Sequence, residues 1–357
     1  MATIVLTNRN RTLQTVKNCL DSLKNQSNDD FELFFVDYGS DDKYVIALEQ
    51  LLSNYPKINY INCPVSGQLW NKCRAINIVL KKCNTPYFFV GDIDMLFHPD
   101  FVNKLHELKN KDKATYFQVG FLSQKETAFQ KDFENATVDF TSRREATGMT
   151  LYPTHLLKEI NGYNEFYHGW GAEDTDVHIR LRNLGITIDF FEKEILLKHQ
   201  WHPKTYRTKL STDPYHFELE KINHSYIQTS QTSKQTKANI KQQWGFLPEE
   251  NDYSKLSDQP DFIIEMEPET SKINALLAQL DNFENKVVSI IVKDTSDSNK
   301  RKQFAKRILG KKYLKFLPMK SVNNMILQEI VMHYRNLPYQ YSFDQNNNVI
   351  HLKIYFQ

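Results

Sequence analysis

The sequence has little of what marks several protein classes. Only four of its 357 residues are cysteine, Cys19, Cys63, Cys73 and Cys83, and no two form a Cys-x-x-Cys pair. That spacing argues against a zinc cluster and predicts free thiols in a reducing compartment. No apolar run approaches ~18 residues, so no segment reads as a membrane-spanning helix. The opening "MATIVLTNRNRTLQ" passes from apolar to charged within a few residues, which predicts no signal peptide. Charge of one sign is not in excess: the formal net charge is +2, so no global field points to nucleic acid. There is no internal repeat and no obvious Gly-rich triphosphate loop. What remains is a chain long enough for one large domain or two smaller ones with a real core. The expected location is cytoplasmic, with peripheral attachment at the inner face of a membrane as the variant.

What is present alternates. "TIVLT" (residues 3–7), "FELFFVDYGSDD", "INYINCP" (58–64) and "PYFFVGDIDMLF" read as strands, the second ending in an acidic, Gly-containing turn and the fourth running into acid. Leu13, Val16, Leu20 and Leu23, then Ala75, Ile76, Val79 and Leu80, recur at helical spacing between them. Such alternation predicts an α/β architecture with a mainly parallel sheet, whose ligands sit beyond the carboxyl ends of the strands. Asp37 and the pair Asp92/Asp94 fall at those ends. Residues 110–144 are polar and weakly periodic. "ATGMTLYPTHLLKEINGYNE" predicts a strand and a short helix ended by Gly162. "TIDFFEKEILLKH" is strand-like as one run. Residues 226–241 are polar and of low complexity, either a solvated helix or a linker. The domain reading is a catalytic domain over 1–245, a linker over 246–270 and a small α/β domain over 271–357 with no catalytic constellation.

In "GDIDML" the two carboxylates at i and i+2 would point to one side of a continuing strand. A divalent cation with oxygen ligands, Mg²⁺ or Mn²⁺, would offset that repulsion and bridge to a diphosphate; a solvated turn is the plainer explanation. Context favours the first. Arg9, Arg11, Lys72 and Arg74 converge with Asp37 on the same sheet edge, and Arg suits bidentate phosphate contacts. In "LLKHQWHP", His199 is the candidate metal ligand; His202 is either a ligand or a contact to acceptor or phosphate. "YHGWGAEDTDVHIRL" sets Trp170 and two glycines before Glu173, Asp174 and Asp176. Acids at a helix start satisfy free N–H groups, which accounts for one carboxylate, such as Asp176, but not for Trp-Gly before three.

These stretches resemble a family. "VLTNRNR", "FFVDYGSDD" and "GDIDML" are similar to the opening strand, acidic turn and Asp-x-Asp of GT-A glycosyltransferases of family 2. "GYNEFYHGWGAEDTDVHIRL" resembles the Trp-Gly-x-Glu-Asp signature of the β-1,4-galactosyltransferases and of the galactosyltransferase-like part of bacterial chondroitin polymerases. The likeness runs from Thr3 to Pro203. It implies that Thr7, Arg9 and Arg11 contact the nucleotide and its phosphates, that Asp37 reads uracil and that Arg74 lies near the diphosphate. It implies further that Asp92 holds the ribose, that Asp94 and His199 bind the metal, and that Gly148 and Met149 line the donor sugar. Trp170 would lie under the sugars, Glu173 would bind the acceptor and Asp174 would be the catalytic base. Three departures stand out: Tyr38 where a second Asp is common, Leu196 where the galactosyltransferases use a methionine ligand, and Ala172 for the second Gly.

The expected activity is therefore an inverting transfer from a UDP-sugar, galactose or N-acetylhexosamine type, with Mn²⁺ or Mg²⁺, to a glycan or lipid-linked saccharide acceptor in surface or capsular polysaccharide synthesis. The alternatives are a non-catalytic nucleotide- or glycan-binding module and a nucleotidyltransferase. Residues 300–315, "KRKQFAKRILGKKYLK", hold eight Lys or Arg and no acid. The first expectation is a solvated face packed on the domain by its apolar side. The second is contact with anionic lipid, a polyanionic glycan or another subunit.

Overall fold

The computed structural model describes residues 1–129, 132–144, 148–203 and 218–357. The chain divides into two compact units.

The first unit is a seven-stranded sheet flanked by helices. Its centre is β1 (Ala2–Asn8), buried at every position as a continuous apolar run in a parallel sheet should be. β1 pairs in parallel with β2 (Phe31–Tyr38) on one side and β4 (Tyr87–Asp92) on the other, and β2 pairs with β3 (Ile58–Cys63). Three helices alternate with these strands: α1 (Leu13–Lys24), α2 (Asp42–Leu52) and α3 (Lys72–Lys82). α1 buries Val16, Cys19, Leu20 and Leu23, one stripe of a 3.6-residue period.

Asp92 ends β4, and a turn over residues 93–94 leads into the short β5 (Met95–Phe97). "PYFFVGDIDMLF" is thus two strands, not one. After α4 (Phe101–Glu107), the stretch 110–144 is less featureless than its composition suggests. It holds β6 (Lys113–Phe117), β7 (Val119–Leu122), α5 (Gln124–Ala128) and β8 (Val138–Thr141). β9 (Thr150–Pro153) runs antiparallel between β4 and β6. α6 (Thr154–Glu159) follows, and the positive φ of Asn161 and Gly162 ends it as expected. α7 (Glu173–Asn183) leads to β10 (Thr187–Phe191), which pairs with β6 and completes the order β10-β6-β9-β4-β1-β2-β3. β11 (Leu197–His199) belongs to a second sheet, β5-β11-β7-β8; "TIDFFEKEILLKH" therefore divides between two sheets. α8 (Leu219–Thr232) covers only the first part of the polar stretch 226–241.

The core under the strand ends is aromatic. Phe89 meets Phe97, Phe101 and Phe117 with ring centroids 5.1–6.3 Å apart in edge-on packing. Each such ring contributes about 1.5–3 kcal/mol through burial.

The second unit takes in residues 64–69 and the C-terminal part. Its sheet is β12 (Phe262–Met266), β13 (Lys286–Lys293), β15 (Val349–Phe356) and β14 (Tyr339–Asp344), in that order. β12 and the short α9 (Glu250–Ser254) lie where a linker is expected over 246–270. α10 (Thr270–Leu277), α11 (Asp297–Ile308) and α12 (Met319–Glu329) connect the strands. The hairpin around the three Asn residues is present between β14 and β15. α11 departs from expectation: Phe304, Ile308 and Leu309 are exposed, not packed on the domain. Among the described residues no helix is long and apolar enough to cross a membrane.

Candidate active site

The parallel register sets the first residues. Thr7 of β1 lies opposite Asp92 of β4, and Asn8 lies opposite Asp37 of β2, so all four share one edge of the sheet. Asp37 is buried and accepts hydrogen bonds at Oδ1 from Asn8 Nδ2 (2.6 Å) and Ser40 Oγ (2.7 Å). Its Oδ2 is buried without a partner. Burial pushes its pKa up, against those two hydrogen bonds and the nearby Arg9 guanidinium.

The second sheet delivers the histidines. His199 at the end of β11 is the register partner of Met95 in β5 and of Phe121 in β7, which places its ring beside Asp94. His199 Nε2 is 3.6 Å and His202 Nε2 3.2 Å from the Asp94 carboxylate, and Arg11 lies 3.0 Å away. One ligating atom from each of Asp94, His199 and His202 falls within 4.8 Å of the others. Burial works against the charged form of Asp94, but the two histidines and Arg11 outweigh it and hold the carboxyl well below its usual range. Two further features fit a cation here. Asp94 Oδ1 is buried without a hydrogen-bond partner, and His202 Nδ1 lies 3.1 Å from the Pro203 carbonyl. A proton held at that Nδ1 leaves the Nε2 lone pair facing Asp94. Leu196 is in the core and offers no ligating atom; the third potential ligand beside Asp94 and His199 is His202.

The carboxylates do not act as one pair. Because the strand turns after Asp92, Asp92 and Asp94 face different partners. Asp92 and Asp174 both meet Lys72 Nζ, at 2.9 Å and 3.3 Å. Glu173 and Asp174 are the first residues of α7. Burial and then the Asp174 charge push Glu173 up to about 7. Burial also raises Asp174, with Asp92 adding and Lys72 opposing. Asp174 Oδ1 is buried and unpartnered. A Cβ added at Gly148 would sit 3.5 Å from Asp174 Oδ2, in van der Waals contact, so Gly148 borders this carboxylate.

Trp170 stands in a loop of left-handed residues, Gly169 (φ 71°), Gly171 (φ 102°) and Ala172 (φ 74°). Its side chain is 45% exposed. Asn223 of α8 donates to the carbonyls of His168 (3.0 Å) and Trp170 (3.3 Å) and so fixes the loop from behind.

Two expectations need correction. Arg74 is fully enclosed: α3 buries its whole face from Cys73 to Leu80, and the guanidinium lies 3.4 Å from the equally buried Glu165. No surface is left on it for a diphosphate. Lys72, two residues earlier at the start of α3, is the cation that meets Asp92 and Asp174. The Met149 side chain belongs to the aromatic core, so of that stretch only Gly148 borders the site. Asp176 makes a buried ion pair with Arg180 (2.7 Å) and lies outside the candidate chemistry. Lys72 as a bridge and Asn223 as a prop are residues that motif reading misses; Lys72 stands out only as one basic residue near the sheet edge, and Asn223 carries no signal.

Comparison with known proteins gives two family matches. Residues 3–161 match the model for glycosyl transferase family 2. Residues 127–202 match a model described as the N-terminal domain of galactosyltransferase. A comparison with curated proteins returns no match. Among solved structures, TarS 1–349 of S. aureus is similar at 14% identity over 56% of this chain and 60% of that one, with a TM-score of 0.43. Its complex with UDP-GlcNAc gives 13%, 65%, 69% and 0.49. The mannosyltransferase PcManGT from Pyrobaculum calidifontis, in complex with GDP-Man and Mn²⁺, gives 15%, 57%, 58% and 0.42. The matched part thus spans about 60% of the length of the TarS 1–349 chain. On the two family matches and the sheet topology, the portion of the chain that carries this site is a GT-A glycosyltransferase domain of family 2, extended through residue 202 by a galactosyltransferase-type segment.

Proposed function

We propose that this protein transfers a hexosyl or N-acetylhexosaminyl group from a UDP-sugar to a glycan or lipid-linked saccharide hydroxyl, with inversion, in the building of a surface polysaccharide. The observation that carries the reading is Asp174: a largely buried carboxylate with one unpartnered oxygen, raised pKa and an exposed Trp170 four residues away in the preceding loop.

The acceptor hydroxyl gives its proton to Asp174 as its oxygen bonds to the anomeric carbon. The bond from that carbon to the diphosphate oxygen breaks, and UDP leaves with the electron pair. One base on the face opposite the leaving group implies in-line displacement. Glu173 positions a second acceptor hydroxyl, and Trp170 offers a flat apolar face to the sugar. Thr7, Arg9 and Arg11 lie on the edge that takes the nucleotide, and Asp37 Oδ2 is the acceptor that a uracil N–H would satisfy. Lys72 and Arg11 supply positive charge where the diphosphate departs. Asp94, His199 and His202 would hold a divalent cation; the two imidazoles favour a transition ion such as Mn²⁺ over Mg²⁺. Bound there, such an ion neutralises charge on the leaving group. The domain reading, catalysis over 1–245 with a separate C-terminal unit, stands with this proposal.

The test is UDP release from a panel of UDP-sugars with an acceptor mixture, with Mn²⁺ or chelator, for wild type and Asp174→Asn. Turnover of one donor, lost in the variant, supports the proposal. Failure to bind UDP even with Mn²⁺ removes it.

A further inference from the structure

α11 is a basic amphipathic helix turned inside out. At 100° per residue, Asn299, Gln303 and Lys306 share one side. That side faces the domain: Gln303 is the buried residue of the helix, and its Oε1 accepts from the Leu314 N–H (3.0 Å). Asn299 donates to Thr295 Oγ1 (3.1 Å), and Thr295 donates to Glu267. The helix is therefore anchored by polar contacts. The opposite side carries Arg301, Phe304, Ala305 and Ile308. Phe304 is 62% and Ile308 70% exposed, and Leu309 at the helix end is 67% exposed. Lys300 and Arg307 flank this stripe on one side and Lys302 on the other.

Helices of soluble domains put their apolar stripe on the core. Here the apolar residues point away and the polar ones point in. The charge is as lopsided as the hydrophobicity: residues 300–315 carry eight of the chain's 45 Lys and Arg and none of its 43 acids. Among the described residues, only Lys300 of the eight has an ion-pair partner, Asp294 at 2.8 Å.

We infer that this face docks on an anionic lipid bilayer, with Phe304, Ile308 and Leu309 entering the headgroup layer and the flanking Lys and Arg meeting lipid phosphates. Charge complementarity selects an anionic partner. The apolar stripe between the cations selects a bilayer over a soluble polyanion, which has phosphates or carboxylates for the Lys and Arg but nothing to receive a Phe and an Ile. The inference does not depend on the sugar-transfer proposal, since α11 lies in the second unit and uses none of the residues of the candidate active site.

Flotation of the full chain with vesicles tests it. One set is phosphatidylcholine alone; the other is equal parts phosphatidylcholine and phosphatidylglycerol. The expected result is binding to the anionic set that falls with salt, no binding to the neutral set, and about tenfold weaker binding for both F304S/I308S and K302E/R307E. All four positions are exposed, so thermal unfolding should not change. No binding of wild type to anionic vesicles at low salt would overturn the inference. So would undiminished vesicle binding by F304S/I308S, which would make the contact one of charge alone. Concentration-dependent self-association without lipid, abolished by F304S/I308S, would assign the face to a second copy of this chain instead.

Discussion

Three carboxylates occupy the first turn of α7, and they meet opposite fates. Asp176 is enclosed and satisfied: Arg180 donates to one oxygen at 2.7 Å and the Tyr167 hydroxyl to the other at 3.2 Å. The remaining arms of Arg180 reach the carbonyls of Ile160 (2.8 Å) and Gly162 (2.9 Å). Glu173 and Asp174 are also shielded from water, yet the one cation paired with Asp174, Lys72, is shared with Asp92. The helix dipole favours all three acids alike, so it does not separate them. What separates them is the partner count. A saturated pair specifies the packing of α7 against the loop over 160–162. An unsaturated cluster keeps a lone pair and uncancelled charge for something that arrives.

The sharpest break of this comparison is Asp174→Asn. The change is nearly isosteric and removes the proton acceptor. Turnover should fall by about 10²–10⁴-fold, while the melting temperature stays near or above that of wild type because a buried charge is lost. Unchanged turnover would put Asp174 in the same structural class as Asp176. On the saturated side, Arg180→Ala strands a buried Asp176 and should cost about 3–5 kcal/mol of stability, measured by denaturant unfolding. Arg74→Ala strands Glu165 in the same way and should match it. Lys72→Ala should lose turnover while costing far less stability than either.

Glu173 sharpens the contrast through pH. Its folded pKa, about 7, lies above the unfolded value. A group raised in this way contributes stability that is complete below its unfolded pKa and is lost as pH rises through the folded one. Glu173→Gln should therefore stabilise the protein at pH 8, by at most about 3 kcal/mol, and the gain should shrink toward pH 5. A pH-independent difference would show that Glu173 is satisfied after all. Smaller again is the effect at the cation cluster: His202→Ala should weaken Mn²⁺ binding by about 10–100-fold, read by calorimetry without any turnover, with Leu196→Ala lacking this effect.

Much of this was legible in the sequence because it depends on local pattern. The alternation of β-branched runs with helical stripes predicts the parallel sheet, and acids at strand ends locate its functional edge. The motifs point to Asp92, Asp94, Asp174 and His199, and the structure brings Asp94 beside His199 and Asp92 and Asp174 onto Lys72. What is not legible depends on which way a side chain turns. Arg74 and Lys72 are two residues apart on one helix, and only the packing of α3 decides that Arg74 points inward to Glu165. Met149 adjoins Gly148, but its side chain packs into the core just before β9 begins. For His202 the sequence leaves ligand and contact to acceptor or phosphate both open, and only the fold brings its Nε2 to 3.2 Å from Asp94, more than a hundred positions away. The stripe of α11 is legible as amphipathic, yet nothing in its period says which side meets the domain.

The weakest effect tests whether the loop before α7 is itself part of the device. Ala172 sits at φ 74° and ψ −16°, a left-handed conformation that costs an L-residue about 1–2 kcal/mol. It is the residue from which α7 starts, so its backbone aims Glu173 and Asp174 at Lys72. Ala172→Gly would remove the strain but enlarge the unfolded ensemble, by about 0.4–1 kcal/mol. The net stability gain should stay below about 1 kcal/mol. With Gly169 and Gly171 already flanking Trp170, a third Gly also loosens the loop that presents it. The apparent acceptor KM should then rise about two- to threefold with the donor KM unchanged. If stability rises and neither KM moves, the strain at Ala172 is a tolerated accident of sequence, and the aim of the two carboxylates is set by Lys72 and the body of α7 alone.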